Sequence, residues 1–267
     1  MKKIIFGLVI IFLFNISMIE AYANEMSEDE FIICIDPGHQ EKGNKNLEPI
    51  GPGSSNKKAK VSQGTAGVGS KKAEYEVNLE AANILKEILI KKGYKVIMTR
   101  ESHDVNISNA ERAEISNKAN ANITIRIHCD SLKDSSKTGA TILVPSKESK
   151  YTKNIYDESK AFGDILKDNL KSQNIKVNGV IERNDITGFN WSIVPVVILE
   201  MGFMSNFNED RMLCDKNYQE RLMNIVSDAI DNYKENKKGW FKQPFLFRYF
   251  YRHSFKNSIK LSSFFYR

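Results

Sequence analysis

The spacing of apolar and polar positions along the chain changes repeatedly between a strand pattern and an amphipathic helix pattern. The first strand is predicted from the β-branched run in FIICIDPGHQ, residues 31–40, which stops at a Pro-Gly turn and places His39 at its carboxyl end. Further apolar runs predict strands over residues 94–98, 122–127, 139–144 and 194–199. The last run has the continuous apolar character of a central buried strand, and Glu200 follows it directly.

Apolar side chains at three- and four-residue spacing predict helices between these strands. The helices are expected from Glu74 to the basic turn before Gly93, and over residues 106–120, 155–170 and 218–233. Ser108 is a plausible N-cap, and Glu111 stands at the capping-box position three residues later. Asn206 followed by Glu209 indicates a further helix start.

Two long stretches lack apolar periodicity. Residues 41–72 are rich in Gly, Ser, Asn, Lys and Pro, and residues 174–192 are irregular. A segment of about 30 residues without secondary structure is long for a compact domain, and such segments tend to be functional or disordered. Strands that alternate with helices predict an α/β fold of three layers, with a β-sheet flanked by helices, as a single domain over about residues 30–235.

The amino terminus has the pattern of a secretory signal. Two lysines precede an apolar run, and Ala21-Tyr22-Ala23 supplies a cleavage site, so residues 1–23 are predicted to be removed. The alternative is an uncleaved membrane anchor, although Asn15 and Glu20 interrupt the span that it would need. Either interpretation places the bulk of the protein outside the cytoplasm.

The carboxyl terminus, residues 236–267, is a basic and aromatic tail without an acidic residue after Trp240. It contributes much of the net charge of +6. Such a tail could bind an anionic wall polymer or a membrane surface, or it could be an extension without a fixed role. Export argues against nucleic acid as a partner.

The chain has three cysteines, an odd number for an exported protein. Cys34 and Cys129 fall in predicted strands and Cys214 lies near a helix start. We therefore expect three small buried thiols and no disulfide framework. Cys129 adjoins His128, but neighbours on a strand point to opposite faces, which makes this thiol a poor candidate for a shared metal ligand.

Four residues able to bind a metal or transfer a proton lie at the edges of predicted elements: His39, Glu74, His128 and Glu200. The two histidines and Glu74 would make a two-His, one-carboxylate set, the ligand type of hydrolytic zinc sites. Glu200 would be the carboxylate that takes a proton from water and passes it to a leaving amine. Spacing alone leaves purely structural roles open for these residues. An acidic residue such as Glu74 is favoured in the first turn of a helix, and His128 could be a core histidine with its hydrogen bonds satisfied.

Three further residues could support this set. Asp36 could accept the far N–H of a ligand histidine and fix its orientation, or it could simply form the turn. Asn78 lies one helical turn after Glu74 on the same face. Arg126 shares a strand face with His128, opposite the isoleucines of residues 122–127.

Four separated blocks carry a family resemblance: IDPGHQ, EYEVNLEAANILKEILIKKGYKVIMTR, SNAERAEISNKANANITIRIHCDS and VPVVILEMGFMSN. In this order and spacing they resemble the zinc-dependent N-acetylmuramoyl-L-alanine amidases of the amidase-3 class, which are bacterial cell-wall hydrolases. The resemblance implies a twisted mixed sheet flanked by helices. It also implies that His39, Glu74 and His128 bind zinc and that Glu200 is the catalytic acid and base.

The sequence departs from the family pattern near the site. Arg126 stands where many members have Ser and Cys129 where many have Ala, and both flank a ligand, which bears on substrate preference. The segment 41–72 is more elaborate than in compact members and is similar to a subgroup in Gram-positive, often spore-forming, bacteria.

The expected function is therefore that of an exported autolysin. It would cleave the amide between N-acetylmuramic acid and L-alanine in peptidoglycan, with the segments 41–72 and 184–191 lining the substrate groove. The alternatives are a catalytically silent peptidoglycan-binding module and a zinc peptidase that acts within the stem peptide. A protein activator is also left open.

Overall fold

The computed structural model describes residues 30–242. The strands are β1 Ile32–Pro37, β2 Asn44–Pro49, β3 Lys57–Val61, β4 Lys95–Met98, β5 Ile123–Asp130, β6 Ala140–Pro145, β7 Val177–Arg183 and β8 Val196–Phe203. The helices are α1 Glu74–Lys91, α2 Asn109–Lys118, α3 Tyr156–Ser172, α4 Thr187–Asn190, α5 Phe207–Leu213 and α6 Lys216–Lys242.

Six strands form the central sheet in the order β4-β1-β5-β8-β6-β7. Strands β4, β1, β5 and β8 are parallel, whereas β6 runs antiparallel to β8 and pairs in parallel with β7. The sheet is therefore mixed, as the resemblance implied. Because β1, β5 and β8 are adjacent and parallel, the residues at their carboxyl ends meet at one edge.

Successive residues of each central strand point to opposite layers. Val197 and Leu199 of β8 join the main core under helices α1, α3 and α6, whereas Val196 and Ile198 pack with Phe189 of α4 in a smaller cluster. Helix α2 packs against α4 on this second face. The predicted three-layer α/β architecture is confirmed.

The segment 41–72, expected to lack secondary structure, contains the antiparallel hairpin β2–β3. Its strands were not predicted, because NKNLEP and KKAKV are mostly polar and show no apolar alternation. A small exposed hairpin buries little apolar surface and does not need such a pattern. The stretch 174–192 was likewise predicted irregular but forms β7 and the single-turn helix α4. Strand β7 is at the sheet edge and largely exposed, so its sequence does not alternate.

The predicted helix caps are present. The Ser108 hydroxyl accepts from the Glu111 N–H and the Glu111 carboxylate accepts from the Ser108 N–H, so α2 begins after Ser108 rather than at residue 106. The Asn206 side chain caps α5. The Glu209 carboxylate, however, accepts from the Gly139 and Phe203 N–H groups and ties β6 to β8.

Two of the three thiols are buried as predicted. Cys34 lies in β1 and Cys129 in β5, and all three cysteines are free. Cys214, between α5 and α6, is only partly buried, against the prediction.

The predicted signal, residues 1–23, and most of the predicted tail lie outside the described residues. Helix α6 continues to Lys242, past the expected domain boundary at residue 235. Within residues 30–242, no helix combines the length and the apolar character needed to cross a bilayer.

Candidate metal centre

His39, Glu74 and His128 meet at the carboxyl edge of the sheet. The Oε1 atom of Glu74 is 3.1 Å from Nε2 of His39 and 3.2 Å from Nδ1 of His128, and these two nitrogens are 3.2 Å apart. One ligand atom from each residue lies within 4.8 Å of the others. Three residues that are far apart in the sequence therefore present two imidazole nitrogens and one carboxylate oxygen to a common point.

A tight turn after β1 places His39. Its backbone has a φ of 62°, in the left-handed region, and its Nδ1 lies 2.9 Å from the Ser62 carbonyl oxygen, so Nε2 is directed at Glu74. Gly38 is required beside it, because a Cβ there would lie 2.1 Å from the His128 ring. The Pro-Gly turn recognised in the sequence thus lets the two imidazoles approach each other.

Glu74 is the first residue of α1, and its carboxylate is held by hydrogen bonds from its own helix, from the loop before it and from β5. Its Oε2 accepts from the Thr65 N–H at 3.0 Å, and its Oε1 accepts from the Cys129 N–H at 3.1 Å and from Asn78 Nδ2 at 3.3 Å. Gly64, with a φ of +87°, lets the loop pass close to the carboxylate. The carboxylate is thereby fixed from α1, from β5 and from the segment 41–72, which borders the site.

The electrostatics of the cluster suit a cation. Burial by itself would raise the pKa of Glu74, but the hydrogen bonds from His128 and His39 bring that pKa well below its ordinary value. Burial lowers the pKa of His128 to about 4, which keeps its imidazole neutral. One carboxylate with two imidazole nitrogens is the donor set of hydrolytic zinc sites, so these residues fit such an ion.

Glu200 lies beside this cluster, opposite His128 in the register of β5 and β8. Both residues lie inside their strands rather than just after them, because β5 runs to Asp130 and β8 to Phe203. Within the described part of the chain, the buried Oε2 of Glu200 has no hydrogen-bond partner. Burial raises the pKa of Glu200 well above its ordinary value, and the negative charges of Glu74 and Asp130 add to this effect.

Asp36 does not orient a histidine, so this prediction is wrong. Its carboxylate accepts from Arg112 Nη1 at 2.7 Å, from Arg126 Nε at 2.6 Å and from the Thr99 hydroxyl. Burial would raise the pKa of Asp36, but the two guanidinium groups outweigh burial and hold it far below its usual range. The Nδ1 atom of His39 bonds to the Ser62 carbonyl oxygen instead.

The other two predicted supporting residues have different surroundings. Asn78 bridges Glu74 Oε1 and the Gly38 carbonyl, each at 3.3 Å, and so lies directly behind the cluster. Arg126 donates to Asp36 and to Asn109, at 2.6 and 2.8 Å, and is buried. It therefore belongs to the ionic group under the site.

Four residues that contact the site or its loop were not singled out in the sequence: Ser62, Thr65, Arg100 and Arg112. Ser62 contacts His39 through its carbonyl oxygen, and Thr65 contacts Glu74 through its N–H group. Backbone contacts of this kind cannot be predicted from the residue type. The only signal for Arg100 was its position just past the strand predicted over residues 94–98, at the same sheet edge as His39.

A sequence model of the N-acetylmuramoyl-L-alanine amidase family (Amidase_3) matches residues 33–232. Among curated proteins, the probable cell wall amidase LytH of Staphylococcus saprophyticus is 28% identical over 172 residues, a match that covers 64% of this chain and 54% of that protein. The chain thus spans about half the length of this relative.

Solved structures agree in fold. The apo N-acetylmuramyl-L-alanine amidase Ami1 of Mycobacterium abscessus superposes with a TM-score of 0.69 at 22% identity, covering 76% of this chain and 97% of that one. The CwlD amidase of Clostridioides difficile, solved in complex with the GerS lipoprotein, gives a TM-score of 0.57 at 23% identity, with 76% and 98% covered. At these identities the likeness shows the shared fold alone.

Replacing Asp36 by Asn should destabilise the protein by about 3–5 kcal/mol at pH 7, because two buried guanidinium groups lose their counter-charge. The folded-state pKa of Asp36 is depressed, so its stabilisation is present above the unfolded pKa of about 3.9 and is lost as pH falls below it. The difference between wild type and variant should therefore shrink by about 1 kcal/mol at pH 3. Urea unfolding at both pH values measures this difference.

The control is Asp228→Asn, which breaks an exposed ion pair with Lys92. This change should alter the free energy of unfolding by only about 0–1 kcal/mol. Equal effects of the two substitutions at pH 7 would contradict the importance assigned to the buried cluster.

Proposed function

Since the chain belongs to the N-acetylmuramoyl-L-alanine amidase family, whose members are amide hydrolases, we propose that it is an exported peptidoglycan hydrolase that cleaves the bond between N-acetylmuramic acid and L-alanine. The observation that carries this proposal is the cluster of His39, Glu74 and His128 with Glu200, whose Oε2 atom is buried, beside it. The matched region includes all four residues.

Zinc is the proposed cofactor, held by Nε2 of His39, Nδ1 of His128 and the Glu74 carboxylate. Two imidazoles and one carboxylate leave a fourth position for water, as in catalytic rather than structural zinc sites. Bound zinc lowers the pKa of a water molecule and polarises a carbonyl group. Ligand type is the basis for choosing zinc among the divalent ions that such a site accepts.

Glu200 is the proposed general base and then the general acid. Hydrolysis joins the oxygen of a water molecule to the lactyl carbonyl carbon, breaks the C–N bond and requires one proton to reach the L-alanine nitrogen. The Glu200 carboxylate would take that proton from the water and give it to the leaving amine. Its raised pKa supports the second step, because the protonated carboxyl group is then readily maintained in the buried site.

The hairpin β2–β3 and the segment 184–191 are proposed as one wall of the substrate groove. Lys58 of β3 pairs with Asp185, and the Trp191 Nε1–H donates to the Pro49 carbonyl at 2.9 Å, so the two segments support each other. The chain continues from β3 to Ser62, which contacts His39. This continuity brings the hairpin beside the metal centre.

The remaining proposals concern organisation and partners. Residues 1–23 would direct export or anchor the chain, residues 30–235 would form the catalytic domain, and the basic tail 236–267 would bind an anionic wall polymer or a membrane surface. Peptidoglycan is the proposed partner and nucleic acid is not. A protein activator is supported by the structural neighbour that was solved with the GerS lipoprotein.

Purified peptidoglycan incubated with residues 24–267 should release stem peptides that begin with L-alanine. A chelator should abolish this release and added zinc should restore it, because the cluster would lose and regain its ion. Mass spectrometry identifies the fragments. Cleavage inside the stem peptide would move the protein to the peptidases, and binding without any release would support the silent module.

Glu200→Gln should lower kcat by at least about 100-fold, the usual contribution of a positioned acid–base group. Zinc content should stay unchanged, because Glu200 is outside the ligand cluster. The exposed Glu220→Gln on α6 is the control and should keep full activity. Wild-type turnover by Glu200→Gln would refute the assigned role.

Replacing residues 46–59 by Asn-Gly should remove most of the hairpin and close the shortened strands with a tight turn. We expect kcat/KM on soluble muropeptides to fall by about tenfold or more, which corresponds to about 1.4 kcal/mol of lost binding in the transition state. Zinc affinity is measured in parallel to confirm an intact centre. Unchanged kcat/KM would rule the hairpin out of the groove.

A further inference from the structure

Two buried arginines donate hydrogen bonds to the backbone of the loop that carries His39. Arg100 donates from Nε to the Pro37 carbonyl and from Nη2 to the Gly38 carbonyl, both at 3.0 Å. Arg112 donates from Nη1 to the Pro37 carbonyl and from Nη2 to the His39 carbonyl, both at 2.9 Å. Three successive carbonyl oxygens thus accept hydrogen bonds from guanidinium groups.

The loop needs such support because His39 adopts a left-handed backbone with a φ of 62°. This region is sparsely populated by residues other than glycine, and it persists only where the surroundings impose it. Arg100 and Arg112 are 3% and 1% exposed, so their hydrogen bonds are shielded from water. Charge-assisted bonds in such a setting are short, strong and directional.

The same side chains connect the loop to the elements that carry the rest of the site. Arg100 also donates to the Tyr75 carbonyl at 2.8 Å, one residue after Glu74 in the first turn of α1. Arg112 also donates to Asp36, whose other oxygen accepts from Arg126 on β5. The turn that carries His39 is thereby joined to α1 and to β5, which hold the other two proposed ligands.

We propose that Arg100 and Arg112 are positioning residues that hold His39 in the geometry required for metal binding. The inference rests on the proposed function for the presence of the metal. Each guanidinium supplies several donors in a fixed planar fork and reaches two or more carbonyls at once, which the single ammonium of lysine cannot reproduce. Charge alone is therefore not sufficient at either position.

The test is the zinc affinity of Arg100→Lys, measured by competition with a chromophoric chelator. Zinc binding should weaken by about 10–100-fold, the usual effect of changing a partner that orients a metal ligand. The visible spectrum of the cobalt-substituted protein should also change, because His39 would be reoriented. A residue that only stabilises the fold would lower the melting temperature of the metal-free protein and leave both metal readouts unaltered.

Arg183→Lys is the matched control. Arg183 is half-buried and forms a bidentate ion pair with Asp185. Its guanidinium group does not contact the turn after β1. Its substitution should leave zinc affinity and the cobalt spectrum as in wild type. Arg112→Lys provides a second variant with the result expected for Arg100→Lys.

The outcomes are distinguishable. Wild-type zinc affinity in a folded Arg100→Lys or Arg112→Lys protein would overturn the inference. Failure of both variants to fold without metal would also overturn it, because the arginines would then support the whole domain rather than the ligand turn. A wild-type protein that binds no zinc would instead overturn the proposed function.

Discussion

The buried carboxylate of Asp36 is the constraint on which the sheet edge depends. It lies on β1 and receives hydrogen bonds from Thr99 after β4, from Arg112 of α2 and from Arg126 of β5. A charge in this position requires counter-charges from several elements. Because those elements must converge on one point, the carboxyl ends of β1 and β5 are fixed relative to each other a few residues before His39 and His128.

The proposed metal centre lies on this fixed frame. One proposed ligand comes from the turn after β1, one from the start of α1 and one from β5, and no two of them are close in sequence. The glycines at 38 and 64 allow the backbone and the side chains to approach closely, while backbone N–H groups satisfy the Glu74 carboxylate. Glu200 enters through the pairing of β8 with β5, which explains how a residue without a local motif reaches the site.

The sequence predicted the features that depend on regular periodicity or on chain position. His39, His128 and Glu200 were found because each stands at the end of an apolar run, and the capped helix α2 was found from Ser108 and Glu111. The hairpin β2–β3 and the edge strand β7 were missed because exposed strands need no apolar alternation. The ion pairs of Asp36 with Arg112 and Arg126 could not be predicted, because the sequence does not distinguish a buried arginine from a solvated one.

Crystals grown with zinc, measured on both sides of the zinc absorption edge, test the central claim most directly. The account predicts one strong anomalous peak bounded by Nε2 of His39, Nδ1 of His128 and the Glu74 carboxylate, with Glu200 beside the peak rather than ligating it. A peak elsewhere on the protein, or no peak in crystals of active protein, would contradict the assignment of these three residues as the metal centre.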